Sequence, residues 1–198
     1  MTRLLMVGAP GSGKGTQAAA LSIALGVPAI STGDIFRDHV ARETPVGLIV
    51  AAMMAAGDYV PDDVTNGLVS ERLEEDDVAV GFILDGYPRT SEQVVELDRI
   101  LLARGTRLDA IIHLRSSAAD LLPRLIARAH EQGRADDTPE TIRRRFERYT
   151  ESTEPLLASY RDRSILIDVD GQNAVAEVTD SILRELARHS ASRNGESA

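Results

Sequence analysis

Cysteine and tryptophan are absent from these 198 residues, and aromatic side chains make up 4% of them. Without cysteine the chain can form no disulfide and no thiolate-ligated zinc site, which agrees with a cytoplasmic location. Long apolar runs are missing as well. None approaches ~18 residues, so no membrane-spanning segment is expected. The first residues run straight into an apolar strand pattern, so no cleavable signal segment is expected either. Positive charge is short: 22 Lys and Arg face 31 Asp and Glu, a formal net charge of −9. A nucleic-acid binder needs a net-basic surface, so that class of partner is not expected. Lysine is scarcest of all. Lys14 is the single lysine, and the remaining 21 of the 22 basic residues are arginine. With 43% hydrophobic residues, the length suffices for one well-buried α/β domain carrying small inserted lobes.

A lone lysine had to fall somewhere, but its surroundings argue against chance. It lies in Gly8-Ala9-Pro10-Gly11-Ser12-Gly13-Lys14-Gly15-Thr16, directly after the apolar run Leu4–Val7. Strand, glycine-rich turn and helix in that order form the context of a phosphate-binding loop. The glycines let the backbone approach an anion closely, and successive N–H groups then point inward as a nest at a helix N-terminus. The ammonium supplies a slim point charge that a flat guanidinium cannot replace. Gly15 follows the lysine, and the hydroxyl arrives one position later at Thr16. That order speaks against a switch GTPase, where a hydroxyl directly after the lysine holds Mg²⁺. A base-reading [NT]KxD segment is also impossible when the one lysine sits in the loop.

Four further apolar runs read as strands: Pro28–Ile30, Phe82–Leu84, Ala110–Leu114 and Ile165–Val169. Helical patterns cover Lys14–Leu25, Asp34–Arg42, Val46–Ala56, Asp62–Glu75, Ser91–Ala103, Ala118–His130, Pro139–Tyr160 and Val175–Arg188. Strands alternating with amphipathic helices predict an α/β fold with a five-stranded parallel sheet, and ligands at the carboxyl ends of the strands. Residues 31–60 read as one inserted helical lobe, and the polar linker 129–137 as a small lid. The acidic run Glu74–Asp77 reads as a solvated helix end, His39, His113, His130 and His189 as surface or packing groups, and Ser190–Ala198 as a frayed tail.

Three constellations carry more than structure requires. Ser31-Thr32-Gly33-Asp34-Ile35-Phe36-Arg37 follows the second strand; Thr32 and Asp34 suit a helix N-cap, but Arg37 exceeds one. Asp85-Gly86-Tyr87-Pro88-Arg89-Thr90 follows the third strand. There a carboxylate at a strand end could order Mg²⁺, whereas Gly86 and Pro88 alone would mark only a turn. Arg124 and Arg128 share one helix face, and Arg134 and Arg145 follow. Arginines on helices are often solvated and paired with a Glu such as Glu147, so no single one of these is decisive.

Together these segments resemble the adenylate kinases of the nucleoside monophosphate kinase family, over residues 3 to about 188. Gly8–Gln17 is similar to the family's GxPGxGKGTQ loop, Ser31–Arg37 to its STGD-x-x-R motif, Gly81–Thr90 to its GF-x-LDG[FY]PRT motif, and Arg134–Asp137 to its R-x-DD. The resemblance implies a three-layer P-loop fold with a core of 1–30, 61–128 and 138–198, an AMP-binding lobe at 31–60 and a short lid at 129–137. It implies ATP-phosphate binding by Gly11, Ser12, Gly13, Lys14, Gly15 and Thr16, with Arg124 and Arg128 on the lid side and the Asn173 main chain at the ATP base. AMP would be held by Thr32, Gly33, Arg37, Asp58, Tyr59, Val60, Gly86, Tyr87, Pro88, Arg89 and Gln93. Arg134 and Arg145 would bridge the transferring phosphoryl group and the AMP phosphate. The catalytic set implied is Lys14, Asp85, Arg89, Arg124, Arg134 and Arg145, with Asp85 ordering Mg²⁺ through water.

The expected reaction is reversible Mg-dependent phosphoryl transfer from ATP to AMP, giving two ADP, by a monomer without zinc. Thr32 and Thr90 are similar to adenine-specific members, and the Gln93 amide suits an adenine edge. The rivals are a UMP, CMP or GMP kinase of the same fold and a non-catalytic adenine-nucleotide sensor, though a sensor would lack a bridging arginine. Three positions depart from the pattern: Pro123 falls inside the helix carrying Arg124, Ala129 follows Arg128, and Asn173 stands where side-chain identity matters little.

Overall fold

The computed structural model describes residues 2–117, 121–127 and 138–195, with the backbone alone at 193–195. Five strands, β1 (Thr2–Val7), β2 (Ala29–Ser31), β3 (Gly81–Asp85), β4 (Ala110–Arg115) and β5 (Leu166–Asp170), form one sheet in the order β2-β3-β1-β4-β5. Every pairing is parallel, with Leu4 opposite both Ile83 and Ala110. The helices are α1 (Lys14–Leu25), α2 (Thr32–Ala41), α3 (Pro45–Ala56), α4 (Asp62–Arg72), α5 (Ser91–Ala103), α6 (121–127), α7 (Pro139–Arg148), α8 (Leu156–Asp162) and α9 (Val175–Gly195).

Alternation along the strands builds two apolar layers. Leu5, Val7, Leu84 and Ile111 point to a face covered by Val69 of α4 and Leu73 just after it, Val94 and Leu97 of α5, and Leu157 and Tyr160 of α8. Leu4, Met6, Ile83 and Ile112 point to the opposite face, covered by Ala18 and Leu21 of α1 and by Val178 and Ile182 of α9. The helix after β1 therefore leaves on one face and the helix after β3 on the other. A sheet whose neighbouring strands part in this way opens a crevice at their carboxyl ends. Among the described residues no helix is long and apolar enough to cross a membrane.

The α2–α3 excursion has its own small apolar cluster of Phe36, Val50 and Val60, with Val40, Val46 and Met54 packed against it. The two helices approach through Gly47, where a Cβ would sit 2.0 Å from the carbonyl oxygen of His39.

Several expected boundaries change. The pattern over Pro139–Tyr160 is not one helix. Tyr149–Thr153 forms a π-helical turn between α7 and α8. Pro155 cannot donate to the helical ladder, and Thr150, Ser152 and Thr153 weaken it further. The helix expected over Asp62–Glu75 ends at Arg72, and a 3₁₀ turn spans Asp76–Val80. Within the acidic run, Asp77 accepts two hydrogen bonds from Arg72, at 2.8 and 2.7 Å, so it is an ion-paired stop rather than a solvated helix end. The tail expected to fray from Ser190 continues α9 to Gly195, Ser192 Oγ donating back to the carbonyl of Arg188 at 3.1 Å. Residues 118–120, 128–137 and 196–198, including the linker read as a lid and His130, lie outside the described residues.

Gly47→Ala should overpack the α2–α3 crossing and cost about 1–3 kcal/mol. At ~2–4 °C per kcal/mol for a chain of this size, a thermal melt should fall by several degrees. An unchanged melting temperature would contradict this packing.

Candidate active site

The loop between β1 and α1 is shaped by backbone that other residues would not adopt. Gly11 has φ +83°, and a Cβ there would lie 2.9 Å from Leu125 Cγ and 3.0 Å from the Leu121 carbonyl oxygen of α6. Glycine satisfies both the left-handed φ and the close approach. Gly13 caps α1 with no side-chain acceptor on its first turn. The N–H groups at that end, with the helix dipole, form an anion-binding terminus. Lys14 Nζ donates to the carbonyls of Gly8 (2.8 Å) and Ala9 (3.0 Å), which holds the ammonium over the loop. Ser12 Oγ is buried there without a hydrogen-bond partner among the described residues. Asp85, ending β3, faces the same turn: a Cβ on Gly15 would sit 3.6 Å from its Oδ2.

On the opposite side of β3, Ser31 rather than Thr32 or Asp34 caps α2, its Oγ accepting from Asp34 N at 3.2 Å. Thr32 is thereby released to donate to the Gly86 carbonyl at 3.0 Å. Arg37 pairs with Asp34 one turn earlier. The Tyr87–Pro88 peptide is cis. Arg89 Nε donates to the Gly86 carbonyl at 2.7 Å, and its main-chain N–H donates to Gln93 Oε1 at 2.7 Å. Gln93 Nε2 in turn donates to Asp62 Oδ1 at 2.6 Å, and Thr90 Oγ1 to Asp62 Oδ2 at 2.8 Å. Asp62, read from the sequence only as a helix start, thus organises this corner. The Gln93 amide spends one donor and one acceptor on protein and keeps one of each.

The helix α7 and the π turn close the third side. Arg143 is paired with Glu147 at 2.8 Å, the solvated arrangement expected of an ordinary helix arginine. Arg145 instead lines the cavity. Asp58, in the corner after α3, accepts from Arg144 Nε at 2.7 Å and Arg148 Nη2 at 3.2 Å, so its carboxylate is committed to α7. Burial alone would raise the Asp58 pKa. The hydrogen bonds and charges of the two arginines outweigh it and hold the carboxyl below its ordinary value. Tyr149 is pushed up to about 12 by burial, with Glu154 and Tyr59 adding to it. Tyr87 is also raised, first by burial and then by Glu96 and Asp62, and its OH donates to Asn66 Oδ1 at 2.7 Å. Both tyrosines stay protonated near neutral pH and are not bases. On α6, Pro123 lies inside the helical residues and does not turn Arg124 away: its Nη1 donates to the Gly171 carbonyl at 3.0 Å.

All three sides open on one cavity of about 890 Å³. It is lined by the predicted Gly11–Thr16, Thr32, Gly33, Arg37, Asp58–Val60, Asp85–Arg89, Gln93, Arg124, Arg145 and Asn173. Arg128 and Arg134 lie outside the described residues. Among the described residues that line it, five cationic side chains, Lys14, Arg37, Arg89, Arg124 and Arg145, meet three carboxylates, of which Asp34 and Asp58 are paired. The described lining thus carries more cations than carboxylates, in a chain that is acidic overall. Tyr149 and Thr153 also line it, and sequence reading missed them because a continuous helix hides the π turn.

Asp58 generates a pH prediction. A carboxyl whose folded pKa is lowered stabilises the fold above its unfolded value, and that contribution is lost as pH falls through the folded value. Asp58→Asn should cost up to ~1 kcal/mol at pH 7, as for exposed ion pairs. In urea titrations the deficit should shrink as pH falls below the ordinary aspartate value of 3.8. A deficit independent of pH would contradict the ion pairing.

Comparison with known proteins agrees with this geometry. The family model described as adenylate kinase matches residues 6–165. The chain is 51% identical over 188 residues to an adenylate kinase of Kocuria rhizophila, covering 95% of this chain and 100% of that protein. It is 54% identical over 183 residues to one of Renibacterium salmoninarum, covering 92% and 95%. It is 50% identical over 186 residues to one of Pseudarthrobacter chlorophenolicus, covering 94% and 97%. A family match across most of the chain, and relatives sharing half its residues over nearly their full length, establish that the chain belongs to the adenylate kinase family.

Proposed function

We propose that the protein transfers the γ-phosphoryl group of ATP reversibly to AMP, giving two ADP, with the residues of this cavity in the roles their chemistry suits. The carrying observation is the convergence of five cations from five separate segments on one crevice at the strand ends. In this reading 31–60 is the AMP-binding lobe, 129–137 the lid, and 1–30, 61–128 and 138–198 the core.

The AMP phosphate oxygen is already a nucleophile. It attacks the γ-phosphorus as the bond to the β–γ bridging oxygen breaks, and ADP leaves with that electron pair. No general base is needed, in keeping with cavity tyrosines whose pKa values rise away from neutrality. Catalysis is alignment plus neutralisation of the phosphoryl oxygens. Gly11–Thr16 hold the ATP phosphates through main-chain N–H groups, with Lys14 as a mobile point charge. Arg124 and Arg128 clamp ATP from the lid side, and the Asn173 main chain meets its base. Arg89, with Arg37, takes the AMP phosphate, and Arg134 and Arg145 bridge donor and acceptor. Thr32, Gly33, Val60, Gly86–Pro88 and Gln93 shape the adenosine side. Asp58 contributes from the rear, by seating its corner on α7.

The residues present fit a hydrated Mg²⁺ carried in with ATP. Asp85 faces the open space beside Gly15, and no cluster of three or more His, Cys, Asp or Glu side chains forms a protein-only cage among the described residues. Mg²⁺ keeps several waters and takes ligands from phosphates, so one carboxylate ordering it through water suffices. When bound, the ion supplies neutralisation of the β- and γ-phosphate charge. Water is the competing acceptor, so the site should exclude it before transfer. We further read the protein as a cytoplasmic monomer.

A coupled assay offering AMP, CMP, UMP and GMP separately tests the acceptor. AMP should exceed the others by at least ~10²-fold in kcat/KM, the discrimination that pocket shape alone reaches and that unpaired hydrogen-bonding groups would increase. Comparable turnover of CMP or UMP would overturn the adenine assignment, and no turnover of any acceptor would point to a nucleotide sensor.

A further inference from the structure

Arg89 is held at four points, and two of them trace to residues the reaction itself does not use. Its guanidinium carbon lies 5.0 Å from the centroid of the Tyr59 ring. The Tyr59 hydroxyl is 3.0 Å from Thr153 Oγ1, and Thr153 Oγ1 donates to the Arg89 main-chain carbonyl at 3.2 Å. Thr153 is buried and has one hydroxyl proton. With that proton on the Arg89 carbonyl, the Tyr59 hydroxyl must be the donor to Thr153. The remaining points are Nε on the Gly86 carbonyl at 2.7 Å and the main-chain N–H on Gln93 Oε1 at 2.7 Å.

From this geometry we propose that Tyr59 and Thr153 are positioning residues that aim the Arg89 guanidinium at the acceptor phosphate. The proposal rests on the reading of Arg89 as an acceptor-phosphate ligand and deepens it. Guanidinium donors lie in the plane of the group, whereas an aromatic ring attracts its face. With the ring against the guanidinium carbon and Nε on a carbonyl, neither contact takes a donor from the two terminal nitrogens, which serve a bidentate phosphate contact. A carboxylate in the same place would hold the group equally well but would neutralise it and occupy those nitrogens.

The resemblance assigned Tyr59 to AMP itself. Tyr59 does line the cavity, and its side chain also contacts Arg89 and the π turn. The three partners come from three segments: the corner after α3, the π turn after α7, and the β3–α5 connection. Arg89 is therefore aimed only when the corner sits on the π turn, a seating to which the neighbouring Asp58 contributes through Arg144 and Arg148. Neither residue has a sequence signature for this role. Tyr59 reads as an acceptor-lobe position, and Thr153 as one residue of a polar helix.

Steady-state kinetics of Tyr59→Leu, Tyr59→Phe, Arg89→Ala and the double variant Tyr59→Leu/Arg89→Ala test the proposal, with thermal melts to verify folding. Tyr59→Leu should raise KM for AMP about 5- to 30-fold, the range of a partly desolvated cation–π contact, with kcat within about 3-fold and KM for ATP unchanged. Tyr59→Phe, which keeps the ring, should recover most of that loss. In the Arg89→Ala background, Tyr59→Leu should add less than about 2-fold, because its effect runs through the missing guanidinium. A parental KM for AMP in Tyr59→Leu would overturn the proposal. So would a full additional loss in the Arg89→Ala background, which would mean that the ring acts on the nucleotide directly. An unchanged KM for AMP in Arg89→Ala itself would remove the underlying reading of Arg89, a separate failure. If Tyr59→Leu does not fold, Thr153→Val carries the test: at nearly constant volume it deletes the donor to the Arg89 carbonyl, which Tyr59→Phe leaves in place, as well as the link to Tyr59. A raised KM for AMP supports the proposal, and a parental value overturns it.

Discussion

Bringing two phosphate-rich molecules into contact requires positive charge concentrated where they meet, and this chain is acidic overall at −9. The other features answer to that demand. A parallel sheet whose helices leave on opposite faces provides one crevice, and every segment passing its carboxyl edge can contribute a side chain there. Lys14 arrives from the first position of α1, Arg37 from α2, Arg89 from the β3–α5 connection, Arg124 from α6 and Arg145 from α7. No single helix or loop could present five cations to one point without prohibitive repulsion along its own length. Distributing them over five segments lets the fold carry that repulsion in its apolar layers.

How the cations are held matters as much as where. Lys14 is held by the carbonyls of Gly8 and Ala9, Arg124 by that of Gly171, and Arg89 by that of Gly86. A carbonyl anchor fixes position and, unlike a carboxylate, brings no formal negative charge of its own. Arg37 is an exception inside the cavity, paired with Asp34 one turn earlier; outside the cavity such carboxylate pairs are common. Arg99 pairs with Glu96, Arg143 with Glu147 and Arg188 with Glu185, short-range helix pairs that neutralise charge in solvent and contribute little stability. Asp58 lies on the boundary between these two regimes. Its carboxylate is shared between Arg144 and Arg148, which seats the corner after α3 on α7.

Much of this was legible before any coordinates, for a physical reason. Phosphate-binding loops, caps and strand ends are local, so residue spacing encodes them; α1 and α5 span the residues that periodicity predicts, Lys14–Leu25 and Ser91–Ala103. Long-range and irregular features were not legible. The π turn at Tyr149–Thr153 hides inside a pattern that reads as unbroken helix, so Tyr149 and Thr153 went unassigned. Ser31 and Thr32 are both plausible caps from their chemistry, and the Gly86 carbonyl, distant in sequence, decides between them. The link from Asp62 to Thr90 and Gln93 spans about thirty residues, and no periodicity reports it.

The central claim is that the loop demands a slim, mobile point charge, which is why a chain that otherwise uses arginine keeps its one lysine at position 14. Single-turnover and steady-state rates of Lys14→Arg beside Lys14→Met test it most directly, because arginine preserves the charge and alters only its shape. The account predicts that both variants lose on the order of 10²–10³ in kcat, the scale of one missing electrostatic donor, with the fold intact by thermal melt. Near-parental turnover in Lys14→Arg would contradict it.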